Sequence, residues 1–172
     1  MLKLIGAGMI LVASTAMGFS VAAMYRNRPA ELRSLQSALK LLESEIDYAS
    51  RPLPEALAEV ARRLSGPERI LLNRASQLLG HGDVSSARRA WELAVEEYFS
   101  ASSLSGADRD VLIDLGRSLG ISDRDDQIRH LRLALSRLVR QEETAEEDRS
   151  RNERLWRYLG ILSGGVLVLI FI

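Results

Sequence analysis

The sequence predicts an all-α protein, a cytoplasmic bundle of about six helices with a transmembrane helix at each end. Apolar residues recur at spacings of three and four along most of the chain, as they do on one face of a helix. No stretch of alternating β-branched residues suggests a strand. Both ends carry uncharged apolar runs, and the length of 172 residues fits one ordinary domain between them.

The first element is a predicted N-terminal transmembrane anchor over residues 1–25. Leu4 to Met24 carry no charge, and a helix of that length spans about 30 Å, the thickness of a bilayer core. Three arginines follow within the next nine residues, and the positive-inside rule keeps them in the cytoplasm. A cleaved signal peptide is the alternative, because residues 20–22 have the small-x-small pattern of a cleavage site.

A helical bundle domain is predicted over residues 29–139, and its first helix opens at Pro29 and stops before Pro52. The apolar stripe of this helix is Leu32, Leu35, Leu39, Leu42 and Ile46. A shorter second helix carries Leu53, Leu57, Val60 and Leu64. Gly66 and Pro67 end that second helix, since neither residue favours helical continuation.

Three further helices follow within the domain. The third has Ile70, Leu71, Leu78 and Leu79 as its apolar residues. The fourth begins after a glycine-rich turn with Asp83 as N-cap, and it holds Trp91 and Tyr98, which predicts a central place in the core. In the fifth, Ser105 and Asp108 have the spacing of a capping box, and Gly120 suits the position after its end.

Ser122 is predicted to cap the last helix, which runs continuously from the bundle into the membrane. Its apolar stripe is Ile128, Leu131, Leu135 and Leu138. Residues 140–157 form a charged extension, in which i,i+3 and i,i+4 pairs favour a helix over a flexible linker. Residues 158–172 form the predicted C-terminal transmembrane segment, with a helix buried in a protein groove as the alternative.

Small residues repeat every four positions in both apolar segments. They are Ser14, Gly18 and Ala22 in the first, and Gly160, Gly164 and the adjacent Gly165 in the second. Such faces let helices approach closely in lipid. The pattern predicts that the two anchors pack together or that the protein forms a homo-oligomer.

The composition argues against several functional classes. Lys plus Arg and Asp plus Glu both number 23, and aromatic residues make up 5%, which does not favour nucleic-acid binding. The chain has no cysteine, and its two histidines, His81 and His130, lack metal-site spacing. No glycine-rich nucleotide loop occurs. We therefore predict no enzyme activity, no cofactor and no metal.

An acidic region surrounds the break at Pro52 and Pro54. The prolines fix the backbone between two helices. Candidate protein-interaction residues are Glu43, Glu45, Asp47, Tyr48, Pro52, Pro54 and Glu55, with Asp123, Asp125, Asp126 and Gln127 at the start of the last helix. An acidic docking surface is one interpretation. A solvated face over a tight helical corner, packed by the intervening leucines, is the other.

Two sequence blocks carry a resemblance to a known family. EIDYASRPLPEALAEVA (45–61) and LGRSLGISDRDDQIRHLRLAL (115–135), with the tail RLWRYLG (154–160), resemble the stage III sporulation protein AB family of endospore-forming bacteria. That family is in turn similar to the cytoplasmic helical domain of the inner-membrane platform protein F of type II secretion. Here the chain differs, because Ala49-Ser50 stands where the secretion proteins often have glycine.

The resemblance implies a function. The family's proteins belong to a channel-like complex between mother cell and forespore that endospore formation requires. The implied role is a non-enzymatic membrane platform whose partners are a secretion-type AAA ATPase, the other membrane subunits and membrane lipid, but no nucleic acid. We hypothesise that the acidic corner, with Asp123, Asp125, Asp126 and Gln127, forms the ATPase-facing or self-association surface, because it is locally acidic and coincides with the family blocks. A platform subunit of a type II secretion or type IV pilus-like system outside sporulation is the alternative.

Overall fold

A computed structural model describes residues 2–49, 51–80, 86–119 and 123–171. These residues form six α-helices and no strand, as the sequence predicts. The helices are α1 Leu2–Ala49, α2 Leu53–Arg63, α3 Glu68–Gly80, α4 Ala87–Ser100, α5 Gly106–Gly116 and α6 Arg124–Phe171. The predicted helical extension over 140–157 is confirmed, because α6 runs through it without a break.

The chain divides into two compact units. Met1–Pro29 and Thr144–Ile172 form the first, and Ala30–Glu143 forms the second. The second unit therefore contains the C-terminal part of α1, all of α2 to α5, and the N-terminal part of α6. Each candidate interaction residue of the acidic region falls within this second unit.

The core of the second unit is built from the predicted stripes of α1 and α6. Leu32, Leu39 and Leu42 are fully buried in α1, and Leu131 and Leu138 are fully buried in α6. Spacings of three and four put these leucines on one face of each helix, and that face turns inward because apolar burial is favourable. Both stripes are thus confirmed as core.

Helices α2 to α5 pack in chain order, α2 against α3, α3 against α4, and α4 against α5. Trp91 of α4 is fully buried, and its indole Nε1 donates to the Leu112 carbonyl of α5 at 2.6 Å. The predicted capping box of α5 is confirmed, since Ser105 N donates to Asp108 Oδ2 at 2.8 Å and Asp108 N donates to Ser105 Oγ. Asp108 is itself completely buried.

The predicted start of the first soluble helix at Pro29 is wrong. Pro29 lies inside α1, which is continuous over 48 residues. Proline in a helix interior removes a hydrogen bond and costs about 3 kcal/mol. Side chains on both sides of Pro29 are buried, Ala22 before it and Leu32 after it, and this packing offsets the lost bond.

Two predicted helix starts also differ from the structure. The N-cap of α4 is Ser86, whose hydroxyl accepts from Arg89 N, whereas Asp83 lies outside the described residues. At α6, Asp126 N donates to Asp123 Oδ1 at 2.9 Å, so Asp123 takes the capping position that the sequence assigned to Ser122. Serine and aspartate are both good caps, and propensity alone does not choose between neighbouring ones. Gly120 and Ser122 lie outside the described residues.

The structure also differs from the prediction at Ile70. The predicted apolar residues of α3 include Ile70, but its side chain is 61% exposed. The buried side of α3 consists of Glu68, Leu71, Leu72 and Ala75. Because successive residues turn by about 100° around a helix, Ile70 lies nearly opposite this buried side.

In the first unit, the small-residue face of α1 turns inward. Gly18 and Ala22 are buried and Ser14 is half-buried. Arg28 and Asp148 form an ion pair of 3.4 Å within this unit. The surroundings of Gly160, Gly164 and Gly165 lie outside what the structure describes.

The described helices differ from membrane spans in their hydropathy. Over the parts of the chain that the structure describes, none of them combines the length and the apolarity that a membrane span requires.

Candidate partner-binding surface at the α1–α2 corner

The corner between α1 and α2 is fixed by proline geometry. Pro52 has φ −54° and ψ 143°, an extended conformation that ends one helix and starts the next. Its carbonyl accepts from Glu55 N and Ala56 N, both at 3.0 Å. The Pro54 carbonyl accepts from Ser76 Oγ at 2.8 Å, which ties the corner to α3.

An open groove of about 520 Å³ lies beside this corner. We call it the corner groove. Its described lining residues are Ile46, Arg51, Pro52, Leu53, Pro54, Leu79, Ala87, Arg124 and Gln127. The structure thus brings the two predicted regions together, because Pro52 and Pro54 of the break border the same groove as Gln127 of α6.

The acidic residues of α1 are paired with arginines. Glu43 accepts from Arg132 Nε at 2.6 Å, and Asp47 accepts from a guanidinium nitrogen of Arg124 at 3.0 Å. These bonds link α1 to α6. The hydrogen bond with Glu43 also raises the pKa of Arg132 above its usual value.

A second ion-pair cluster joins α1 to α2. Glu45, which is 9% exposed, lies 2.9 Å from Arg63 and 3.5 Å from Arg51. Glu59 is held by Arg51, Arg62 and Arg63. Hydrogen bonds from Arg62 and then Arg63 lower the pKa of Glu59. The lowered pKa means that these contacts stabilise the fold above the unfolded-state pKa, and that the stabilisation is lost as the pH falls.

Other candidate residues remain at the surface. Tyr48 is 85% exposed, and Glu55 and Asp125 are also exposed. No ion pair joins either of these two carboxylates to another residue in the part of the chain that the structure describes. Asp126 pairs with Arg129 at 2.7 Å. Asp123 is exposed as well, and its carboxylate accepts from a backbone N–H. The acidic charge available to a partner at this corner therefore comes chiefly from Glu55, Asp123 and Asp125.

The sequence alone did not identify the arginines that neutralise the corner. Arg124 and Arg132 lie 77 and 89 residues from their partners in α1, a distance at which no local pattern predicts contact. One signal was local, because Glu59 and Arg63 have the i,i+4 spacing of a helix pair.

The fold and the corner together define a class of protein. It is an all-α protein whose candidate site is an open surface groove bordered by ion pairs. Among the described residues, no cluster of three or more acidic, histidine or cysteine side chains offers a metal site. The corner groove is an open concave surface between helices.

Comparison with known proteins identifies the family within this class. The family model described as stage III sporulation protein AB matches residues 3–172. Stage III sporulation protein AB of Bacillus subtilis (strain 168) is 39% identical over 170 residues, which cover 99% of each chain. A solved structure of a stage III sporulation protein AB has a TM-score of 0.65 and 36% identity, covering 72% of this chain and 96% of its own. The chain belongs to the stage III sporulation protein AB family.

Proposed function

We propose that this chain is a non-enzymatic membrane platform subunit of the channel-like complex between mother cell and forespore. The observation that carries the proposal is family membership over residues 3–172, which implies a protein of sporulation stage III. In this role the chain docks a secretion-type AAA ATPase and contacts the other membrane subunits of the complex.

Both ends of the chain anchor it in the mother-cell membrane under this proposal, and the second unit lies in the cytoplasm. Uncharged runs at 4–24 and 158–172 support the anchors. So does the exposure of Met9, Val12 and Met17, which are 69%, 71% and 75% exposed, since lipid would cover such side chains.

Topology can be tested by labelling, because the chain contains no native cysteine. Ala101 is exposed at the end of α4, so Ala101→Cys places a thiol on the second unit. We expect a membrane-impermeant maleimide to label this variant in lysed cells but not in intact cells. Labelling of intact cells would place the second unit outside the cytoplasm and would remove the ATPase from its reach.

The docking site that we propose is the corner groove with the exposed carboxylates of Glu55 and Asp125. A cationic surface of the ATPase would meet these two groups, and the ion-paired carboxylates behind them would hold the helices in register. Because opposite charges steer association and fix orientation, reversing the two exposed charges should weaken docking without breaking an ion pair among the residues that the structure describes.

We expect a Glu55→Lys/Asp125→Lys double variant to bind the ATPase at least about tenfold more weakly, since rim charges act on affinity through encounter and repulsion. Binding is measured by co-purification and titration with the full chain in detergent. The matched control is Glu143→Lys/Glu147→Lys, which makes the same charge change at exposed positions of α6. An equal loss of ATPase affinity in both variants, or no loss in the Glu55→Lys/Asp125→Lys variant, would argue against docking at the corner.

A further inference from the structure

A second concave feature lies between α5 and α6, and the proposed ATPase docking site does not include it. This α5–α6 groove has a volume of about 200 Å³. Its apolar lining residues are Val111, Leu115, Leu133 and Ala134. Leu133 is 47% exposed, although it lies on the helix that supplies much of the core. An isolated exposed leucine is ordinary, but one that lines a groove presents a contact for another side chain.

The groove is also lined by polar side chains. These are Arg117, His130, Arg137 and the acidic Asp114. Asp114 is shared, since its carboxylate lies 3.2 Å from Arg117 and 3.2 Å from Arg137. One carboxylate therefore balances two guanidinium groups. Each guanidinium carries five N–H donors, so both arginines keep donors for a further acceptor.

Arg137 lies in a stretch of α6, residues 128–140, that contains four arginines and one histidine but no acidic residue. Two of these arginines, Arg129 and Arg132, are paired with Asp126 and Glu43 away from the groove. Arg117 and Arg137 have side chains that are 63% and 47% exposed. The guanidinium groups at the groove are thus accessible to an approaching anion.

Groove size restricts the kind of ligand. Typical small-molecule pockets are roughly 300–1,000 Å³, whereas a cavity of about 150 Å³ accepts one benzene ring. A groove of about 200 Å³ therefore fits one aliphatic or aromatic side chain. Arginine is enriched in protein-interaction hot spots.

We propose that the α5–α6 groove binds an acidic segment of a partner protein, in which an aliphatic side chain is flanked by carboxylates. The aliphatic side chain packs on Leu133 and Val111. The carboxylates accept hydrogen bonds from Arg117 and Arg137, the arrangement that makes arginine a selective carboxylate ligand. The anionic surface of a membrane fits less well, because a flat surface would face Asp114 and would not enter the groove.

The test uses the full chain in non-ionic detergent and a fluorescent synthetic peptide that repeats Glu-Leu-Leu-Glu. Two control peptides replace each Glu by Lys or each Leu by Ser. We expect anisotropy titrations to show binding of the first peptide only, with an affinity that falls as salt rises. Absence of binding by the Glu-Leu-Leu-Glu peptide, or equal binding of the lysine peptide, would overturn the proposal.

Variants locate the binding site. We expect Arg117→Glu/Leu133→Ser to weaken peptide binding at least about tenfold, because it removes a central apolar contact and an arginine donor. The matched control is Arg69→Glu/Ile70→Ser, which changes the same kinds of side chain on the exposed side of α3. Its affinity should stay within about twofold of wild type, as expected for positions outside an interface. We expect a single Leu133→Ser variant, which keeps the charge of Arg117, to lose an intermediate amount of peptide affinity.

Other occupants of the groove give different results. If sedimentation shows that the groove variant loses self-association while its peptide affinity is unchanged, the occupant is a second copy and the proposal is wrong. If the groove variant loses binding to phosphatidylglycerol vesicles but keeps binding to the peptide, the groove contacts lipid and the proposal is again wrong. Equal losses in the groove variant and the α3 variant would also overturn it.

Discussion

Trp91→Ala is expected to lower the free energy of unfolding by about 3–5 kcal/mol, the usual cost of truncating a buried tryptophan. Trp91 is 1% exposed and is among the largest fully buried side chains in the described part of the chain. Its removal leaves a cavity between α4 and α5, and it also leaves the Leu112 carbonyl without the indole donor. Since small domains are stable by only about 5–15 kcal/mol, this loss is a large fraction of the total stability.

The free energy of unfolding is measured by denaturant titration of the full chain in detergent, with circular dichroism as the signal. Trp91→Phe keeps an aromatic ring at this position but removes the indole donor and part of the buried side-chain volume. We expect it to cost less than Trp91→Ala. Tyr48→Ala is the surface control, since Tyr48 is 85% exposed, and its effect should stay within about 0.5 kcal/mol. Similar losses for Trp91→Ala and Tyr48→Ala would contradict a core role for the indole.

Gly116→Val is expected to destabilise the protein by about 1–3 kcal/mol through overpacking. Gly116 ends α5 and lies directly against Trp91. A Cβ atom at this position would lie 2.5 Å from Trp91 Cδ1 and 3.3 Å from Trp91 Cγ. The indole is buried and hydrogen-bonded, so it has little room to move away.

Gly106 is the matched control for this substitution. It starts the same helix, and a Cβ atom there would meet nothing within 4 Å. Replacing an unstrained helical glycine by alanine normally stabilises by about 0.5–1 kcal/mol. We therefore expect opposite signs, with Gly106→Ala neutral or stabilising and Gly116→Ala destabilising. A stabilising Gly116→Ala would show that the close approach to Trp91 is not tight.

A double-mutant cycle tests the contact itself. If the cost of Gly116→Val arises from the indole, then combining it with Trp91→Phe should cost less than the sum of the two single changes. Residues in direct contact show coupling of about 0.5–3 kcal/mol, whereas distant residues are nearly additive. If the free-energy costs of the two changes simply add, the cost of Gly116→Val does not arise from its contact with the indole.

Much of the helical organisation could be predicted locally. The leucine stripes of α1 and α6 are visible in the sequence because helical periodicity places every third or fourth residue on one side. The capping box of Ser105 and Asp108 is also a pattern within four residues. The family resemblance of the blocks at 45–61 and 115–135 is likewise visible in the order of residues alone. The family comparison confirmed that family.

Other features depended on contacts that local patterns do not encode. Pro29 reads as a helix start, yet packing before and after it keeps α1 continuous. Ile70 reads as core, yet α3 turns its other side inward. Several good capping residues compete near the start of α4, and the described structure uses Ser86.

The sequence by itself determined the helical class, the main apolar stripes and the family of this protein, because each follows from the order and spacing of neighbouring residues. Only the tertiary structure decided which charges remain available to partners. Glu43 and Asp47 look like part of an acidic surface until α6 brings Arg132 and Arg124 against them. The position of Gly116 against Trp91 was decided in the same way, since contacts between distant segments exist only once the helices have packed.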